Sequence, residues 1–123
     1  VFIFGNGNYS RDFTYVKDAA MIFYRIFTSR NKFKTDVVNL GFGETYTIKE
    51  IFHHISKVVK NKTLKPIFLK ERPGDVKKLI CDNTKINKEF GVKPATKFSN
   101  GLKKYYKWIK NKKKPPYIKA INW

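Results

Sequence analysis

The stretch from Ala19 to about Thr28 limits the folds open to this chain more than any other. It reads as a helix, with Asp18 placed to cap it. It is apolar nearly all round, through Ala19, Ala20, Met21, Ile22, Phe23, Ile26 and Phe27. A helix of that kind needs protein on more than one side. The apolar runs at 1–4 and 13–16 read as short strands and are too small to cover both faces. The covering mass is therefore expected from a part of the protein that precedes Val1. Met21 is the one methionine, which fits a chain that does not begin where a gene begins.

The rest of the chain alternates strand and helix signals. Residues 37–40 read as a buried strand ending at Gly41-Phe42-Gly43. Thr47-Ile48-Lys49-Glu50 matches a capping box, with Tyr46 and Ile51 at the positions of a hydrophobic staple. The helix it opens runs to about Lys60, with Ile48, Ile51, Phe52, Ile55, Val58 and Val59 at helical spacing. Residues 66–70 form a further strand, and Arg72-Pro73-Gly74-Asp75 a turn. Asn83 or Thr84 caps a short helix stopped by Gly91. Ser99 caps the last helix, which sets Leu102, Tyr105, Tyr106 and Ile109 against a face of Lys103, Lys104, Lys107 and Lys110. The fold class is therefore α/β, with short mixed strands and about four helices. Residues 1–112 form one region and 113–123 an extended basic tail.

The chain has 123 residues, the size of one domain, and a net charge of +18. Residues 57–123 carry most of that excess. Such a charge suits polyanions, but by count 23 of the 27 basic residues are lysine and 4 are arginine. Phosphate and base-edge recognition favours arginine's planar fork. The abundance of Asn, Ile, Phe and Tyr points instead to an AT-rich coding sequence as the main source of lysine. No specific nucleic acid is expected. No apolar run reaches the roughly 20 residues of a membrane span, so no membrane partner is expected. One cysteine, Cys81, excludes an internal disulfide and a multi-cysteine zinc site and suits a reducing, cytoplasmic setting. It lies in a Leu79-Ile80-Cys81 run and reads as a buried small hydrophobe.

The most informative tetrapeptide is Arg72-Pro73-Gly74-Asp75. Proline then glycine at its centre are type II turn residues, and the turn sets Arg72 within about 7 Å of Asp75. A guanidinium forks onto a diphosphate while a neighbouring carboxylate accepts from sugar hydroxyls. Arg11, after a glycine turn, could aim at the same anion. On spacing alone a plain surface turn and an exposed arginine are the stronger readings. Gly5-x-Gly7 and Gly41-x-Gly43 both lack the third glycine of a dinucleotide loop, since Ser10 and Tyr46 stand there. Tyr106 and Lys110 match a Tyr-x-x-x-Lys spacing by chance. His53 and His54 are adjacent and point apart, so they make no ligand pair.

Taken together, these blocks resemble the extended short-chain dehydrogenases/reductases, and among them the nucleotide-sugar 4-epimerases and 4,6-dehydratases. The carriers are Gly5-Asn6-Gly7 with Arg11-Asp12-Phe13-Thr14-Tyr15-Val16-Lys17-Asp18, then Asn39-Leu40-Gly41-Phe42-Gly43, then Arg72-Pro73-Gly74-Asp75-Val76. Asp82-x-x-Lys85, Phe90-Gly91-x-Lys93-Pro94 and Gly101-Leu102 follow in the family's order. The resemblance implies the C-terminal, substrate-binding portion of an extended Rossmann-type enzyme. It implies that Arg11 and Arg72 bind the diphosphate of a nucleoside-diphosphate sugar and that Asp75 takes a ribose hydroxyl. Leu79 stands where the family often has a further nucleotide contact. NAD and the catalytic residues belong to a preceding part, so this chain is expected to hold no catalytic residue and to be inactive alone. A homodimer is implied for the full-length protein. A non-catalytic nucleotide-sugar module and a lysine-rich nucleic-acid binder are the alternatives.

Overall fold

A computed structural model describes residues 1–29 and 37–112. The tail expected at 113–123 lies outside the described residues. The elements run β1 (Phe2–Phe4), β2 (Ser10–Asp12), α1 (Val16–Thr28), β3 (Thr45–Thr47), α2 (Ile48–Val59), β4 (Ile67–Leu69), β5 (Lys78–Leu79), α3 (Thr84–Phe90) and α4 (Phe98–Lys110). The expected α/β class, with short strands and four helices among the described residues, is what the chain adopts.

Two small sheets organise it. β1 pairs parallel with β4, placing Phe4 beside Leu69. β2 lies between β3, which is antiparallel, and β5, which is parallel. Gly5 and Gly7 link the sheets with φ of 70° and 75°, a left-handed conformation that glycine adopts without strain. The amide of Gly5 extends the first ladder by donating to the Leu69 carbonyl at 3.0 Å. The amides of Ile48 and Lys49, unpaired within α2 because they open it, donate to the carbonyls of Tyr9 and Gly7 at 2.9 and 3.1 Å. So the glycine turn and the start of α2 brace one another.

The capping box forms as expected. The Glu50 amide donates to Thr47 Oγ1 at 3.2 Å, and the Thr47 amide donates back to Glu50 Oε2 at 2.7 Å. Tyr46 stacks on Phe98 at 4.7 Å between centroids, and Phe13 and His54 each approach Phe98 at 5.4 Å. This aromatic group joins α2 to the start of α4. α4 begins at Phe98 with Lys97 as its N-cap, so Ser99, expected as the cap, lies inside the helix.

Three other expectations need correction. The second strand is Ser10–Asp12, not 13–16, because residues 10–12 take the ladders to β3 and β5 and Val16 already opens α1. Residues 37–40 form no ladder among the described residues. Val38 and Leu40 instead pack on the core of Ile22, Ile86 and Val92. Asp18 does not cap α1. Tyr15 holds the N-cap position without a side-chain hydrogen bond, and the Asp18 carboxylate accepts from the Thr96 amide (2.6 Å), the Ala95 amide (2.8 Å) and Thr96 Oγ1 (2.8 Å). Three donors outcompete the single amide a cap would satisfy.

The core is small. Ile3, Ile22, Ile86 and Val92 are the buried hydrophobic residues among those described. On α1 only Ile22 is buried, while Phe23 and Tyr24 are each 65% exposed and Phe27 88%. The helix that the sequence marks as apolar nearly all round thus covers one side against the described residues.

Candidate nucleotide-binding site

Arg11 sits in the middle of β2, between Tyr46 on β3 and Leu79 on β5. Its Nη1 donates to the Ser10 carbonyl at 2.9 Å, and its Nη2 meets Asp75 Oδ1 at 2.6 Å. Both partners of this ion pair are partly buried. Asp75 arrives through the expected turn. Gly74 has φ of 76°, as the third residue of a type II turn requires, and the Asp75 amide donates to the Arg72 carbonyl at 3.3 Å.

The turn does not pair its own two charges. Asp75 reaches across to Arg11, while the Arg72 guanidinium carbon lies 3.7 Å above the centre of the Phe4 ring. Among the described residues no carboxylate pairs with Arg72. Of the three expected residues the structure therefore pairs two and sets the third on a different partner. Arg11 and Asp75 are in contact, and Arg72 is held one turn away on an aromatic face.

Asp12 is a residue that the sequence does not single out. Its Oδ2 accepts from the Gly43 amide at 2.8 Å and the Cys81 amide at 3.2 Å, and its Oδ1 accepts from the Phe42 amide at 3.2 Å. One carboxylate so ties β2 to the 41–43 loop and to the segment after β5. A cleft of 420 Å³ opens beside it, walled by Arg11, Asn39, Leu40, Leu79, Cys81 and Asp82. The sequence carries the Arg-Asp pair but no spacing that announces a three-way anchor. Asn83 completes the join by donating its amide to the Gly41 and Phe42 carbonyls at 3.2 and 3.3 Å. Asn83 holds the N-cap position of α3 as expected but makes no side-chain cap bond, and the Thr84 amide donates instead to Asp82 Oδ1 at 2.9 Å. Gly91 ends α3 with φ of 62°, as expected.

Cys81 is half-buried rather than a core residue, because its thiol edge lines the cleft. Burial, then the charges of Asp12 and Asp82, push the thiol pKa up, which keeps it protonated and a poor nucleophile. His53 is exposed, and His54 packs into the aromatic group. Lys110 lies 5.6 Å over the Tyr106 ring, a cation–π contact on one helix face. Among the described residues no group of three His, Cys, Asp or Glu could hold a metal, and no helix is long and apolar enough to cross a membrane.

Three of the glycines stand close to this chain's own side chains. A Cβ on Gly41 would overlap Cys81, one on Gly43 would stand 3.1 Å from the Asn83 amide, and one on Gly7 2.9 Å from Lys49. A Cβ on Gly5 would meet only Glu71, at 3.8 Å.

Comparison with known proteins places the chain in a family. The family model described as GDP-mannose 4,6 dehydratase matches residues 1–105. The dTDP-glucose 4,6-dehydratase of Escherichia coli is 27% identical over 128 residues, covering 98% of this chain and 33% of that protein. Among solved structures, UDP-glucose 4-epimerase of Thermotoga maritima with UDP-glucose is 31% identical at a TM-score of 0.77, covering 88% of this chain and 35% of that one. UDP-glucuronic acid 4-epimerase of Bacillus cereus, in complex with UDP-glucuronic acid and NAD, is 30% identical at a TM-score of 0.79, covering 89% and 34%. The chain spans about a third of the length of the curated relatives it matches.

Proposed function

From the premise that the chain belongs to the GDP-mannose 4,6 dehydratase family, within the extended short-chain dehydrogenases/reductases, we propose that it is the nucleotide-sugar-binding part of a longer NAD-dependent sugar-nucleotide 4-epimerase or dehydratase. Residues 1–112 form that part. The observation that carries the reading is that the 72–75 turn sets Asp75 against Arg11 of β2 while its Arg72 stacks on Phe4 of β1.

The residues divide the work by chemistry. Arg11 and Arg72 present planar donors to the diphosphate. The Arg11–Asp75 pair is partly exposed, and such a pair contributes only about 1 kcal/mol. A diphosphate therefore displaces the carboxylate readily, and Asp75 is freed to accept from a ribose hydroxyl. NAD supplies transient oxidation at the sugar's C4. It is held by protein outside this chain, and the reacting groups lie there too. The small core and the exposed apolar face of α1 support a region that folds against further protein. Full-length protein is a homodimer on this reading.

The test is the Arg72→Ala variant of the full-length protein. A charge-assisted contact contributes about 1.5–3 kcal/mol, so KM for the nucleotide sugar should rise about ten- to a hundred-fold with kcat nearly unchanged. NAD content should stay the same. An unchanged KM, or loss of NAD with sugar binding intact, refutes the assignment.

A further inference from the structure

Arg72 is an exposed arginine in a turn, and a side chain of that kind is ordinarily free to sweep through many rotamers. Here it is not free. Its guanidinium carbon sits 3.7 Å over the Phe4 centroid. At that distance the guanidinium is within cation–π reach of the ring. The attraction is to the ring's quadrupole and leaves the guanidinium its planar fork of N–H donors.

Phe4 is well placed to hold it. The ring stands at the end of β1, registered against Leu69 and fixed by the following Gly5 amide on the Leu69 carbonyl. Ile3 carries β1's burial, while Phe4 remains 37% exposed. Its ring therefore serves the surface. Asp75 is engaged by Arg11, and Phe4 gives Arg72 an aromatic face that does not neutralise its charge.

We propose that Phe4 is a positioning residue for diphosphate binding, holding the Arg72 guanidinium at its ring, where its donors meet the anion. This rests on the nucleotide-loop reading above. The experiment uses full-length protein titrated calorimetrically with UDP, dTDP and GDP, the tightest of the three serving as probe. Arg72→Ala should weaken binding about ten- to a hundred-fold. Phe4→Leu, which keeps apolar bulk and removes the ring, should weaken it about three- to ten-fold, and Phe4→Tyr should remain within about twofold of the parent. In the Arg72→Ala background Phe4→Leu should add nothing, because its effect passes through Arg72. If Phe4→Leu weakens binding equally with and without Arg72, or not at all while Arg72→Ala does, the positioning role is overturned and the nucleotide-loop reading survives. If Arg72→Ala itself leaves binding unchanged, both fall.

Discussion

Replacing Asp18 by alanine removes three hydrogen bonds that join the first turn of α1 to residues 95 and 96. The acceptor is a carboxylate, and each hydrogen bond to a charged group contributes about 1.5–3 kcal/mol. The three do not count equally. The Ala95 contact is exposed, so water replaces it, while both Thr96 contacts are partly buried. Losing a negative charge from the first turn costs about 0.5 kcal/mol, and alanine's better helix propensity offsets about the same amount. The two Thr96 contacts sum to about 3–6 kcal/mol, which screening by nearby water brings to a net loss of about 2–4 kcal/mol. At a urea slope near 2 kcal/mol/M this moves the midpoint by about 1–2 M. Amide exchange at Ala95 and Thr96 should accelerate first. The effect also depends on pH. Burial pushes the Asp18 pKa up, but hydrogen bonds from Thr96 and Ala95 and the charge of Lys104 bring it below its ordinary value. A depressed folded-state pKa gives stability that is present above the unfolded value of about 3.9 and is lost as pH falls through the folded one. Parent protein should lose this share below about pH 4. Asp18→Asn, which does not titrate, should lose less over the same window. A midpoint shift under about 0.3 M, or identical acid profiles for parent and Asp18→Asn, would refute the reasoning.

Gly41→Ala should destabilise by about 3 kcal/mol or more, because its Cβ would overlap Cys81. Cys81→Gly should recover part of that loss in the double variant, read by thermal unfolding. The exposed face of Lys103, Lys104, Lys107 and Lys110 should bind DNA weakly and without sequence preference, with affinity falling steeply with salt. Tight, sequence-selective binding at about 0.2 M salt in a fluorescence anisotropy titration would contradict it.

Local signals in the sequence survive into the structure where the physics is local. Thr47 and Glu50 satisfy each other within one turn, and Gly74 and Gly91 adopt the left-handed conformations their positions call for. Signals failed where a distant partner outbid the neighbour. Asp18 and Asn83 look like helix caps from their flanking residues, yet one serves residues 95–96 and the other the 41–42 carbonyls. Ser99 also looks like a cap, yet α4 already begins at Phe98. At the site, the turn at 72–75 was legible, and so were Arg11, Arg72 and Asp75 as its charged residues. Their pairing was not, since turn spacing favours Arg72 with Asp75 and says nothing of Phe4. Asp12 was hidden for the same reason, because its three donors stand 30, 31 and 69 residues away.

That distance has a consequence for how the chain is made. Asp18 finds its Thr96 donor 78 positions later, and β2 receives its β5 partner only after Lys78 has emerged. At about 5–20 residues per second, a ribosome takes roughly 4–16 s to deliver Thr96 after Asp18. Through that interval the Ile22 side of α1 has neither its carboxylate anchor nor Ile86 and Val92 to pack on it. Contacts this remote in sequence slow folding, because the loop between them must be closed before any of them contributes. The Ile22 side of α1 is then the surface on which a nascent chain would first aggregate or first recruit a chaperone.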